Sequence, residues 1–298
     1  MKIVEVGPRD GLQNEKEVVA TPDKIAYINQ LVVAGHTRIE AVSFVRADRV
    51  PQMADAEAVM AGVPRSDAVS YIGLVMNERG LTRAIDCQVD EVNIVVVATE
   101  TFSQRNQNMT IAEALTGLGS MVDRAKDAGV VVSVTVGASF GCPFEGEVPT
   151  ARVADIVRQA AALGVDEIAL ADSIGVGTPM DVRRLVSAAQ DVTDLPLRLH
   201  LHNTRNTGYA NAFAGAELGV SALDASSGGI GGCPFAPSAT GNIATEDLNY
   251  LLERSGTSLG LDFAMLTETA SFIAGKLKIQ TPALLGRAGW FPASAHHH

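Results

Sequence analysis

The stretch VVVSVTVGASFGCPFEGEVPTARVADIVRQAAALGVDEIALAD, residues 130–172, holds one full unit of the architecture. Val130–Val136 is a largely β-branched run without charge, as a strand covered on both faces requires. Val153–Leu163 repeats its apolar residues at helical spacing, and Gly164 follows at once, the residue best suited to the left-handed position that closes a helix. Glu167–Ala171 then starts another short run. Strand, helix, glycine, strand is the order of a parallel βαβ unit, whose crossover is right-handed.

The same alternation extends in both directions. Further runs read as strands at Lys2–Val6, Arg38–Ser43, Val69–Val75, Glu91–Ala98, Leu197–Leu201 and Ser221–Ser226, each apolar on both faces or nearly so. Helical patterns lie between them at Thr21–Ala34, Ala112–Ala128, Met180–Gln190 and Ala210–Leu218, with glycines at 35, 129 and 219 after three of them. Eight such units within 298 residues predict an α/β fold, a (β/α)8 TIM barrel, with a doubly wound open sheet as the alternative. Asp247–Arg254 and Phe263–Lys276 read as additional C-terminal helices that close the barrel. No composition shift marks a second domain, so residues 1–295 are expected to form one unit, with His296, His297 and His298 a tag remnant.

Composition narrows the function. The chain is 47% hydrophobic and 19% charged, enough apolar material for a large core, and its net charge is −11. So acidic a chain lacks the positive footprint of a nucleic-acid binder, and an anionic ligand would need a local basic patch. Cys87, Cys142 and Cys233 are odd in number and form no CxxC pair, which predicts reduced thiols and a cytoplasmic setting. No apolar stretch of membrane length or leader pattern is present, so no membrane partner is expected.

In a barrel of this kind the chemistry gathers past the C-terminal ends of the strands. Arg9 and Asp10 follow the first strand; Glu40 and Ser43 lie on the second, Asp172 and Ser173 after the sixth, and His200, His202 and Asn203 on the seventh. Residues two apart on a strand share a face, so His200 and His202 project together into the mouth. Two imidazoles there read as half of a divalent-metal site, which a carboxylate such as Asp10 and an amide oxygen would complete, in preference to two hydrogen-bonded core histidines. Taken alone, Asp10 reads equally as a turn aspartate paired with Arg9. Gly228–Gly232 reads as a tight connection or a phosphate cradle, and Cys233 as a buried thiol or a proton donor.

The run Val4-Glu5-Val6-Gly7-Pro8-Arg9-Asp10-Gly11-Leu12-Gln13-Asn14-Glu15 resembles the opening signature of 3-hydroxy-3-methylglutaryl-CoA lyases. Ser43-Phe44-Val45, Pro51-Gln52-Met53, Gly141–Gly146, Asp172–Pro179, Gly229–Phe235 and Ala239–Asp247 resemble the same family, from residue 2 to about 280 with spacing preserved. The resemblance implies Mg2+ or Mn2+ held by Asp10, His200, His202 and Asn242, and an acyl-CoA substrate split by retro-aldol cleavage. It implies that Arg9 neutralises oxyanion charge, that Glu40 and Asp172 support proton transfer, and that Cys233 rides a mobile glycine loop over the site. Gln13 and Ser43 are expected to touch substrate, and a homo-oligomer, dimer or tetramer, is expected.

The resemblance departs in two places. The family carries an arginine and a tyrosine on the fifth strand where this chain has Ser133 and Thr135. Its HxHD followed by an aromatic reads His202-Asn203-Thr204-Arg205 here. An altered pocket for the distal carboxylate follows, with Arg205 as the expected replacement cation and citramalyl-CoA as an alternative substrate. A pyruvate-type metal-dependent aldolase or acyltransferase of the same superfamily is the rival activity, and an inactive binding scaffold the rival class.

Overall fold

A computed structural model describes residues 1–232 and 241–292. The strands are β1 (Lys2–Glu5), β2 (Arg38–Ser43), β3 (Ser70–Val75), β4 (Glu91–Val97), β5 (Val131–Gly137), β6 (Glu167–Asp172), β7 (Leu197–Leu201) and β8 (Ala222–Ala225). All pair in parallel in sequence order, and β1 also pairs β8, which closes the barrel. The open-sheet alternative is thereby excluded.

The helices are α1 (Thr21–Val33), α2 (Ala56–Gly62), α3 (Glu78–Asp86), α4 (Glu100–Gln107), α5 (Ile111–Asp127) and α6 (Thr150–Ala162). They continue with α7 (Pro179–Gln190), α8 (Gly208–Glu217), α9 (Thr245–Arg254), α10 (Phe263–Leu277) and α11 (Leu285–Ala288). Gly35, Gly129, Gly164 and Gly219 follow α1, α5, α6 and α8 with φ of 98°, 74°, 85° and 76°, so the helix-ending reading holds at each. α9 completes the eighth unit, and α10 packs on α1 to complete the outer ring. None of these helices is long and apolar enough to cross a membrane.

The main core lies between barrel and helices, where side chains such as Ile28, Leu31, Ile39, Val92 and Leu118 are buried. Each such side chain contributes about 1.5–3 kcal/mol by leaving water. The barrel interior differs from the expectation that the strands are apolar on both faces. Its apolar part is the small cluster Val4, Val6, Ile72 and Ala222. Beside it the inward positions of five strands are charged. Arg38 bonds Glu91 and Glu167 at 2.7 Å each, and Arg198 reaches Glu167 at 2.9 Å and Asp224 at 3.1 Å. Buried ions at that depth persist because each is paired.

Candidate active site

β1 ends in a five-residue π-helical turn, Gly7–Gly11, that turns Arg9 and Asp10 over the barrel mouth. Arg9 is held from two sides. Its Nε donates to Glu40 Oε2 at 2.7 Å, and its Nη1 donates to Asp10 Oδ1 at 2.6 Å. Glu40 is itself fixed from β4, where Asn93 Nδ2 donates to Oε1 at 2.9 Å, and Thr135 Oγ1 donates to Asn93 Oδ1 at 2.9 Å. Thr135, Asn93, Glu40 and Arg9 thus form one chain of hydrogen bonds that ends at the guanidinium. Glu40 thereby fixes the position of Arg9.

The two imidazoles of β7 meet as the spacing predicts, with His200 Nε2 and His202 Nε2 3.1 Å apart. Asp10 Oδ2 lies 3.8 Å from His200 Nε2. One ligand atom from each of the three residues falls within 4.8 Å of the others. Cis ligands on an octahedral ion bound at about 2.1 Å stand about 3.0 Å apart, so the imidazole spacing suits a small divalent cation. The tautomer agrees. His200 Nδ1 lies 3.1 Å from Asp224 Oδ2, and a proton held there leaves the Nε2 lone pair facing the cluster. His202 Nδ1 is buried without a hydrogen-bond partner.

Asn242 joins through backbone and side chain. It forms an antiparallel bridge with His202, and its Nδ2 donates to Asp10 Oδ2 at 2.9 Å. Gly231 makes that approach possible. It has φ of 102°, and a Cβ there would stand 2.7 Å from Asn242 Nδ2 and 2.9 Å from Gly11 Cα.

The charges of the cluster follow from these contacts. Burial opposes ionisation of Asp10, but Arg9, His200, His202 and the Asn242 hydrogen bond outweigh it and hold the carboxyl well below the usual range. His202 is pushed down to about 4 by burial and by neighbouring His200, so it is a neutral imidazole near pH 7.

Other expected site residues stand elsewhere. Asp172 is fully buried, with Oδ1 accepting from Val176 N at 2.9 Å and Oδ2 from Gly177 N at 2.8 Å. Both oxygens hold the loop after β6. Ser133 lies down in the ionic layer, donating to Glu91 Oε1 at 2.5 Å, and does not face the mouth. A cation stands beside it, Arg198 Nη2 at 3.5 Å. Arg205 turns outward, donating from Nη1 to the carbonyls of Ile174 and Gly175 at 2.9 and 3.0 Å, and so ties two loops together.

Ser43 Oγ and Gln13 Oε1 are both buried and have no hydrogen-bond partner among the described residues. Cys233 lies outside the described residues. Asp224, Asn93 and Arg198 were missed in the sequence, although their signal was present: polar residues two apart in Glu91-Val92-Asn93 and in Arg198-Leu199-His200-Leu201-His202.

The fold and cluster define a class, parallel eight-stranded barrels with a carboxylate–imidazole cluster at the C-terminal mouth. Within that class, the HMGL-like family model matches residues 1–273, and the chain belongs to this family. It is 40% identical over 289 residues to the mitochondrial hydroxymethylglutaryl-CoA lyase of Macaca fascicularis, covering 97% of this chain and 89% of that protein. It is also 40% identical over 298 residues to (R)-citramalyl-CoA lyase of Chloroflexus aurantiacus, covering 96% and 94%. An HMG-CoA lyase structure from Acinetobacter baumannii, in complex with coenzyme A and 3-methylmalate, superposes with a TM-score of 0.93 at 39% identity, covering 98% and 96%.

Proposed function

We propose that this chain is a divalent-metal-dependent lyase that cleaves 3-hydroxy-3-methylglutaryl-CoA or citramalyl-CoA to acetyl-CoA and acetoacetate or pyruvate. The observation that carries the reading is the pairing of the His200–His202–Asp10 cluster with Arg9, in a chain similar along nearly its whole length to lyases of both kinds. Asp10, His200, His202 and Asn242 would hold Mg2+ or Mn2+. Bound there, the cation supplies positive charge that polarises the substrate oxygens and makes the 3-hydroxyl more acidic.

The residues of the chain then divide the work. The hydroxyl proton passes to Asp10, whose carboxylate flanks the centre, or to a water beside it. The C2–C3 bond breaks, its electron pair moves to the thioester fragment as an enolate, and C3 becomes a ketone. Arg9, always charged and locked by Glu40 and Asp10, offers its remaining donors to the enolate oxygen. Cys233 or a water returns a proton to C2 and gives acetyl-CoA. Ser43 and Gln13 complete the substrate contacts.

Residues 1–295 act as one domain in this reading, working as a dimer or tetramer in the cytoplasm. Acetyl-CoA release over both thioesters, with Mg2+ and with chelator, tests it. Release that requires the metal supports the reading, and no release from either thioester with Mg2+ present defeats it.

A further inference from the structure

An anionic substrate needs a basic patch in a chain of net charge −11. Such a patch borders the candidate active site. A cleft of about 520 Å³ has Arg9 and Gln13 in its wall and Arg46, Arg49, Arg105 and Asn106 among its other lining residues. No aspartate or glutamate lines it, although the chain carries 34 acidic residues against 23 lysines and arginines.

The arginines of the rim are not equally free. Arg46 is held by Asp48, with Nε at 2.9 Å and Nη2 at 2.6 Å. The Arg105 guanidinium stacks over the Phe144 ring at 4.3 Å, an arrangement that fixes its plane and leaves its edges open to acceptors. Arg49 is exposed, and its side chain has no hydrogen bond or ion pair among the described residues. Two guanidiniums are therefore available beside the wall formed by Arg9. They project from the loop after β2 and from α4, on the side of the mouth away from the β7 imidazoles.

We infer that Arg49 and Arg105 form a subsite for an anionic oxygen group of the substrate, remote from the carbon that reacts. A CoA phosphate and the distal carboxylate of the acyl group share the needed chemistry, planar or tetrahedral oxygens that accept paired N–H donors. This subsite rests on the lyase reading and assigns that same site a charge-binding rim. It also gives the acidic protein a local positive field that draws anions toward Arg9, an effect that salt screens.

The test is steady-state kinetics of the Arg49→Gln/Arg105→Gln double variant with 3-hydroxy-3-methylglutaryl-CoA and with the pantetheine thioester of the same acyl group. With the CoA ester, KM should rise roughly tenfold while kcat stays within about twofold, and the fall of kcat/KM with added salt should flatten. A defect that vanishes with the pantetheine thioester identifies a phosphate as the bound group; one that persists identifies the carboxylate. Arg49→Gln alone, at an exposed position, gives a milder rise and guards against a folding defect in the double variant, which a circular dichroism melt detects. KM unchanged within about twofold for both thioesters, in folded variants, overturns the subsite. Wild-type protein that cleaves neither thioester would instead overturn the lyase reading, so the two failures are distinct.

Discussion

Asp224→Asn separates holding the metal from holding the fold. In the interior layer two guanidiniums, Arg38 and Arg198, face three carboxylates, Glu91, Glu167 and Asp224. Asp224 divides its oxygens, Oδ1 to Arg198 at 3.1 Å and Oδ2 to His200 Nδ1 at 3.1 Å. Neutralising it leaves two guanidiniums with two carboxylates, so Arg198 keeps its partner Glu167 at 2.9 Å and no buried cation is stranded. The stability cost is then that of one weakened charge-assisted bond, about 1.5–3 kcal/mol, or a few degrees in Tm. On the proposed metal reading the cost to the ion is larger, because Asp224, bonded to His200 Nδ1, would fix the tautomer and raise the basicity of a ligating Nε2. Removing such a partner reduces metal affinity roughly 10- to 100-fold. Electron paramagnetic resonance of free Mn2+ during titration measures the affinity directly, alongside a thermal melt. Unchanged Mn2+ affinity in a folded variant would refute the reasoning, and so would a collapse of stability, which would make Asp224 chiefly the counter-ion of Arg198.

Arg9→Met should lower kcat roughly 100-fold or more with a much smaller change in KM, since its donors act on charge that develops in the transition state; a rise in KM alone would make Arg9 a binding residue. Cys233→Ser should keep fold and Mn2+ affinity but lose most of kcat, a hydroxyl being the weaker acid, and wild-type turnover would return Cys233 to the role of a plain thiol. Glu246→Gln should change the pH dependence of stability. Burial pushes the Glu246 carboxyl up from 4.5 to about 8, so the folded chain retains a proton that the unfolded chain releases across that window. Wild-type stability therefore loses up to about 1.4 kcal/mol per pH unit from this group as pH rises, and the variant should melt progressively higher than wild type between pH 5 and pH 8. A Tm difference that stays flat with pH would show that Glu246 does not carry that proton.

The fold was legible because each unit repeats a local signal that tertiary context does not override: a β-branched run, a helical period and a glycine that only a left-handed backbone position requires. The approach of His200, His202 and Asp10 was legible for a related reason. Strand geometry alone puts His200 and His202 on one face, and the closure of β1 onto β8 brings Asp10 to them. What stayed hidden is what depends on distances across the barrel. Arg38 and Glu167 are 129 residues apart in sequence, and nothing local shows that they bond. The same limit hides the cation near Ser133. Arg205 was closer to the site by sequence position, whereas Arg198 was on the inward face, in register with the two imidazoles. Spacing by two along β7 identifies it: positions 198, 200 and 202 all point inward, so the periodicity that found the metal ligands also places a guanidinium one step beneath them. On β2 and β8 an inward carboxylate lies beside a group of the candidate site and orients it, Glu40 held by Asn93 and Asp224 paired with Arg198. Glu40 beside Arg9 and Asp224 beside His200 are the two instances of that arrangement. Asp224 links the two layers: it pairs with Arg198 below and orients His200 of the candidate site above.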